Sequence, residues 1–439
     1  MVRHWSGWVR DKRVMSIRQN LQTRLGWAWA LTLPLWCSIA CAQTLGLPQV
    51  LEAARNNLDV SMARQAAEAA RADVVAADRS PFPIFTAKTS QMDLQHGIGA
   101  GSFGQKKIDK SGGIDWTWER GNKRGLRTQS AERQASAANA DLQDMRVMQQ
   151  LGAASAYFDL LAALERNRDM QALANSAKQL AQSATLRLKA GDLSAQESAR
   201  LEIEAQRAQA DAYSAQLDQE RAVLLLGQFT NLRINLAGWH IQADWPALEA
   251  MLDVNSVQEA WLDQRPDVVA ALERVSAARA ALELAQAQKK SDLTLGTSLD
   301  HYPTQSSRLL ELRVSVPLQW GYGYEGEIGR AQAQVTLAQD LLDKTRHEAL
   351  TDFKRLLQER NAAQQREALY EQDILPRARR VAEQAELAYT LGASSLTDLL
   401  DARRTLRSTL IDAAFTRADY AKAHTAWQLR TPTQNPSTR

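Results

Sequence analysis

Two short stretches decide how this chain is read: Leu188-Lys-Ala-Gly191-Asp-Leu-Ser194-Ala-Gln-Glu197 and Tyr389-Thr-Leu-Gly392-Ala-Ser-Ser395-Leu-Thr-Asp398. In each, a glycine breaks a long helical run, and a second helical run returns from the serine three residues on. Outward from each turn the same order appears. From about Gly125 to Ala190 there is no proline and one glycine, Gly152. That is about 65 residues, or roughly 100 Å of helix at 1.5 Å per residue. A return helix is expected from Ser194 to Gln228. In the second half the long helix is expected from Glu325 to Leu391, kinked by Pro376, and its return from Ser395 to Leu429.

A strand precedes each long helix. Ile114, Trp116 and Trp118 alternate with Asp115 and Thr117, the period of a strand with one apolar face. Gly121 and Gly125 close it. Leu312, Val314, Val316 and Leu318 share a face over Leu310 to Leu318, with Gly321 and Gly323 after them. A partner strand lies upstream of each, Phe82 to Met92 and Leu293 to Asp300. The glycine-rich loop Gln95 to Gly113 and a short loop around Pro303 connect the pairs. Each half opens on a helix, Pro48 to Arg79, ended by Pro81 and Pro83, and Ser256 to Gln288; Phe229 to Val254 reads as irregular. Asp59-Val60 matches Asp267-Val268, and Trp116, Trp118 and Gly121 match Val316, Leu318 and Gly321, all at an offset of about 200. This is an internal duplication, too long for a solenoid unit. The expected fold is mainly α with four short β-strands, a duplicated strand pair plus long coiled-coil hairpin.

The N-terminus reads as an export signal. Arg18 and Arg24 precede an apolar run from Leu25 to Ile39, and Ala40-Cys41-Ala42 supplies small residues for cleavage before Gln43. Met15 is an alternative start, and a lipid-modified Cys41 an alternative ending. The expected division is a signal peptide over 1–42, a first repeat over 43–254, a second over 255–430 and a disordered tail over 431–439. Both cysteines, Cys37 and Cys41, fall in the signal, so no disulfide is expected in the mature chain. The formal charge is +3 overall, but residues 1–42 carry +5 and the remainder −2, so nothing asks for nucleic acid.

Heptad spacing runs through Ile328, Val335, Leu342, Ala349, Leu356, Ala363 and Tyr370. It recurs in Leu399, Leu406, Ala413, Tyr420 and Trp427, and in Ile203, Ala210, Leu217 and Leu224. Seven-residue spacing keeps one seam facing a partner helix. The strands suit a tilted membrane crossing. A spanning sheet cannot leave an edge in lipid, because unpaired backbone groups cost several kcal/mol each. Four strands are too few to close a barrel, so if these strands are transmembrane several chains must share one. Trp116, Trp118 and Trp320 suit an interfacial aromatic belt, with packing on a soluble core as the alternative.

No catalytic constellation stands out, and no enzyme, cofactor or metal is expected. Gly99-x-Gly101-x-x-Gly104 is not placed between a strand and a helix, as a dinucleotide fingerprint requires. The six histidines show no ligand spacing. Asp398 and Asp401 lie three apart on one helical face. In an oligomer they would ring a constriction and favour cations; the alternative is an acid placed against the helix dipole.

Tyr389-x-x-Gly392-x-x-Ser395-x-x-Asp398-x-x-Asp401-Ala402 resembles the hairpin-tip signature of the TolC-like outer-membrane efflux proteins, and Leu188-x-x-Gly191-x-x-Ser194-x-x-Glu197 resembles its first-repeat version. Arg265-Pro266-Asp267-Val268, Gly121-Asn122-Lys123-Arg124-Gly125 and Pro376 also fit, in order across both repeats. The resemblance implies a homotrimer with a 12-stranded β-barrel in the Gram-negative outer membrane and a periplasmic α-helical barrel. It implies two partners, a periplasmic adaptor (membrane fusion) protein and an inner-membrane pump of the proton-driven resistance-nodulation-division type. Asp398 and Asp401 would form the aperture ring, and Tyr389 a hydrogen-bonded clasp with Glu197 near the partner coil. Leu188 and Arg200 depart from the pattern. The strands and short C-terminus resemble the branch serving cobalt–zinc–cadmium and copper–silver pumps, which implies passive conduction of heavy-metal cations. Drug or organic-compound efflux, protein secretion and a non-channel periplasmic coiled-coil adaptor or scaffold are the alternatives. The second hairpin, with acids at both tip positions, is expected to be the one that moves.

Overall fold

The computed structural model describes residues 43–93, 95–236, 238–252, 259–303 and 306–431. The expected signal, with Cys37 and Cys41, lies outside the described residues, as does the tail beyond 431. A three-residue strand β1 (Gln43–Leu45) is followed by helices α1 (Leu47–Ala54) and α2 (Leu58–Ala77). Strands β2 (Ile84–Ser90) and β3 (Asp109–Trp118) lead into the hairpin of α3 (Lys123–Ala190) and α4 (Ala195–Thr230). After β4 (Trp239–Ile241) come α5 (Pro266–Ala287), β5 (Leu293–Tyr302) and β6 (Ser306–Ser315). Helices α6 (Glu325–Leu369), α7 (Leu375–Thr390) and α8 (Leu396–Arg430) complete the second hairpin.

Several expected boundaries shift for local reasons. The single opening helix is two, because the Asn57 side chain accepts from Val60 N at 2.9 Å and caps α2. Its amide also donates to Gln149 of α3 at 2.8 Å. Strand β3 begins at Asp109, so Gly112 and Gly113 belong to the sheet and not to the loop. A Cβ at Gly113 would meet the Thr297 carbonyl oxygen at 2.8 Å, so the strands approach too closely there for a side chain. Strand β6 ends at Ser315, leaving Val316 and Leu318 outside it. The stretch expected to be irregular contains β4, which pairs parallel with β1 in a separate two-stranded sheet. The long helix expected to kink at Pro376 is divided just before it. A five-residue π-helical segment, Tyr370–Ile374, precedes it and admits a residue that lacks an N–H.

The main sheet has the order β2-β3-β5-β6, antiparallel throughout. Its register sorts the side chains cleanly. Phe85, Ile114, Thr297 and Leu312 form one cross-strand row, flanked by Ala87, Gly112, Leu299 and Leu310 on one side. Trp116, Leu295 and Val314 flank it on the other. The opposite face carries Thr86, Gly113, Ser298 and Glu311, then Asp115 and Arg313, which pair at 2.9 Å. The apolar face is the exposed one: Phe85 is 72% and Leu312 78% exposed, against 7% for Ser298 and 4% for Asp300. Water-soluble sheets bury the apolar face, so this one is inverted. Strands β2 and β6 are edges. The helices α2, α3, α5 and α6 all join the sheet at its Trp118 end, which follows from the strand order and direction.

Alanine lets the helices lie close. Helix α3 packs along α2, α4, α5 and α8, and α6 along α5 and α8. The core is a string of small clusters, one around Tyr157, Phe158 and Leu226 and another around Phe353, Leu357 and Trp427. The α6 heptad positions Val335, Leu342, Ala349, Leu356 and Ala363 are buried. The stripe on α4 is not: Ile203, Leu217 and Leu224 are exposed, and Leu201, Ala208, Ala215 and Leu226 make the intrachain contact. Spacing identifies a seam but not its partner, and among the described residues nothing covers that face of α4.

If the apolar face meets lipid, Leu312→Arg should be costly, by about 2–4 kcal/mol at mid-membrane. It is expected to remove the oligomer from membrane fractions, whereas Lys88→Gln on the polar face leaves it intact. Equal recovery of the two variants would overturn this assignment of faces.

Candidate functional site

The two hairpin tips are built from the same hydrogen bonds. At the first, Gly191 takes φ +85°, and Asp192 N donates to Arg187 O at 2.9 Å. At the second, Gly392 takes φ +74°, and Ala393 N donates to Ala388 O at 2.8 Å. Only glycine holds this left-handed geometry without strain. Each return helix then starts on a capping box. Ser194 Oγ accepts from Glu197 N at 3.1 Å, and Ser194 N donates to the Glu197 carboxylate at 3.3 Å. Ser395 Oγ accepts from Asp398 N at 3.2 Å, and Ser395 N donates to Asp398 at 3.2 Å. Asp398 therefore serves the helix start as well as facing solvent, and Asp401 is exposed with Arg404 at 3.6 Å.

The fold brings the two tips together. Ala184, Leu201, Tyr389, Leu396 and Leu399 form one buried cluster from both hairpins. Tyr389 is buried there, and its hydroxyl has no hydrogen-bond partner among the described residues. Burial raises its phenol pKa; Arg187 acts against the shift and Glu197 with it. Within the described residues the Glu197 carboxylate is bonded by Ser194 at 2.9 Å and not by Tyr389. Arginines tie the hairpins instead. Buried Arg403 of α8 donates to Ser176 of α3 at 2.7 Å and to Glu386 of α7 at 3.0 Å. Arg407 reaches Asp211 of α4 at 2.7 Å.

A second polar centre lies beside the π-helical segment. Arg417 of α8 contacts Glu165 of α3 at 3.0 Å, Glu367 of α6 at 3.2 Å and Glu371 at 3.2 Å. Trp245, from the segment after β4, lies 5.7 Å from the guanidinium. Burial, with a hydrogen bond shared with Glu371, pushes the Glu367 carboxyl up to about 7. Burial opposes ionisation of Glu371 too, but its bond to Glu367 and the Arg417 charge hold it below the usual range.

Asp398, Asp401, Glu197 and Tyr389 therefore lie at one end, with the turns at Gly191, Ser194, Gly392 and Ser395. Trp116 and Trp118 stand on the exposed face of β3, and Trp320 is exposed in the loop after β6. Sequence reading missed Arg403, Arg407 and the Arg417 centre. Only the four-residue spacing of Glu367 and Glu371 could have pointed to it, because the other partners sit on different helices.

A duplicated strand pair with long helical hairpins, an inverted sheet and paired tips define the class of TolC-like channel protomers. The family model for outer membrane efflux proteins matches residues 257–430. A pyoverdine export outer membrane protein, OpmQ of Pseudomonas putida, is 26% identical over 424 residues, 88% of this chain and 87% of that protein. The Campylobacter jejuni CmeC outer membrane channel superposes with TM-score 0.74 at 17% identity, covering 89% of this chain and 87% of that one. The open-state Neisseria gonorrhoeae MtrE outer membrane channel gives 0.69 at 17% identity, covering 88% of each. The solved channels share this chain's fold, and residues 257–430 match the outer membrane efflux protein family. Its members are channels that sit in the Gram-negative outer membrane and reach into the periplasm, and that is this chain's location.

The Glu367 shift has a sign. Its pKa is raised above the unfolded value, so between about 4.5 and 7 the folded state keeps a proton that the unfolded chain has lost. Stability from this site falls as pH rises through that window. Amide exchange around residues 365–375 is expected to quicken from about pH 5 to 8 beyond the intrinsic rate, and Glu367→Gln should flatten that excess. An excess unchanged by the substitution would overturn the assignment.

Proposed function

We propose that three copies of this chain close their sheets into one 12-stranded barrel and their hairpins into a periplasmic α-helical barrel. The duct so formed passively carries cargo from an inner-membrane pump and a periplasmic adaptor to the exterior. One observation carries the reading: a four-stranded sheet with an exposed apolar face and two open edges, which hydrocarbon does not tolerate in a single chain. The exposed Ile203, Leu217 and Leu224 stripe on α4 supports side-by-side packing of hairpins between protomers. The number three comes from the family. Residues 1–42 are the export leader, and the two repeats span 43–254 and 255–430.

In this reading the tips form the periplasmic aperture. Asp398 and Asp401 ring it, with Glu197 and Tyr389 behind them, and Trp116, Trp118 and Trp320 lie at the membrane interface. The adaptor loosens the tip contacts, and the second hairpin moves. The pump is of the proton-driven resistance-nodulation-division type. Heavy-metal cations are the first cargo considered, on the branch the sequence resembles. The relative named for pyoverdine export favours the second, a small organic compound.

Replacing Asp398 and Asp401 together by alanine should raise single-channel conductance or reduce cation selectivity in planar bilayers. Unchanged conductance and selectivity would sink the aperture assignment. Cells lacking the chain are expected to lose tolerance to cobalt, zinc, cadmium or copper salts. Unaltered metal tolerance with new sensitivity to organic toxic compounds would assign the organic cargo.

A further inference from the structure

The outward face of the sheet is graded along its strands. At the end away from the helices, Thr89, Lys110 and His301 are cross-strand partners. Arg308 lies beside them on β6, next to the bulge at Asp300 and Tyr302. The next row inward is Ala87, Gly112, Leu299 and Leu310, and the rows beyond it are apolar down to Trp118. Eight residues separate Lys110 from Trp118 in β3. At ~3.4 Å per residue and a tilt of ~40° this spans roughly 20 Å of depth, close to the ~25 Å apolar band of membrane barrels. Cations therefore mark one boundary of the band and tryptophans the other.

The small side chains of Ala87 and Gly112 leave a notch directly below the cations. A cavity of about 540 Å³ opens there, with Ala87, Gly112, Leu299, Phe103, Lys110 and Arg308 among its lining. Phe103 is brought over from the loop, and Lys110 Nζ sits 5.3 Å from its ring while donating to the Gly104 and Lys106 carbonyls at 3.1 and 3.2 Å. Arg308 is exposed, and neither it nor Lys110 has an ion-pair partner among the described residues. Asp300 also borders the cavity, but the register sets it on the polar face, where Ser298 Oγ donates to it at 3.3 Å.

We propose that this notch binds a phosphate-bearing lipid of the outer leaflet, with its phosphate between Lys110 and Arg308 and an acyl chain against Ala87, Gly112 and Leu299. The chemistry is complementary on both counts: unpaired cations attract the headgroup phosphate, and an apolar floor continuous with the membrane-facing rows takes the chain. The site rests on the barrel reading above.

The test uses the full-length oligomer purified in detergent. Native mass spectrometry follows retention of bis-phosphorylated lipid A and of the same lipid stripped of its phosphates. The phosphorylated form should be retained about tenfold better, and Arg308→Gln should cut that preference roughly fivefold. Gly112→Leu should weaken retention of both forms, since a Cβ there meets no atom within 4 Å and the longer side chain fills the notch. Equal retention of the two lipids, or retention that neither variant alters, overturns the lipid site while the oligomer persists. Failure to find any oligomer would overturn the barrel reading itself, and the site with it.

Discussion

Unpaired backbone groups at the edges of the β2-β3-β5-β6 sheet set the terms for everything else in this chain. In water such an edge is a liability; in hydrocarbon each unpaired N–H or C=O costs several kcal/mol. The exposed faces of Phe85, Ile114, Leu312 and Val314 suit the sheet to hydrocarbon, where its edges are intolerable. The closure with other copies proposed above would remove both difficulties at once. The polar face, where the Asp115–Arg313 pair and Ser298 already cluster, would then line an interior.

The helical part answers a different demand. A thin wall around a duct has no room for a large aromatic core, and the chain supplies alanine where helices touch and small clusters where they cross. Arginines then tie the hairpins: Arg403 and Arg407 near the tips, and Arg417 beside the π-helical segment. Such pairs are strong only while both partners remain, since a buried charge left alone is destabilising by several kcal/mol. The halves differ in kind here. Helix α3 is unbroken over 68 residues, while its counterpart passes through five π-helical residues before Pro376. Wider turns of that type mark places where a helix readjusts.

By itself the sequence determined the repeat, the two glycine turns and the alternation of the strands. Each rests on local physics: a φ that favours glycine, a period of two or of seven, and a proline without an N–H. These signals lie within a few residues of one another, so no partner is needed to read them. They also pose the question of the sheet's edges, because four strands can be counted without knowing their order. What only the tertiary structure decided involves residues far apart. Arg417 meets Glu165, Glu367 and Glu371 from separate elements. Asn57 splits a helix that looked continuous because Val60 and Gln149 both use its side chain. The α4 stripe reads as a seam in sequence and faces away from its own chain in space. Periodicity reports that a face is apolar; which neighbour covers it depends on packing angles and charge pairings that no single segment encodes.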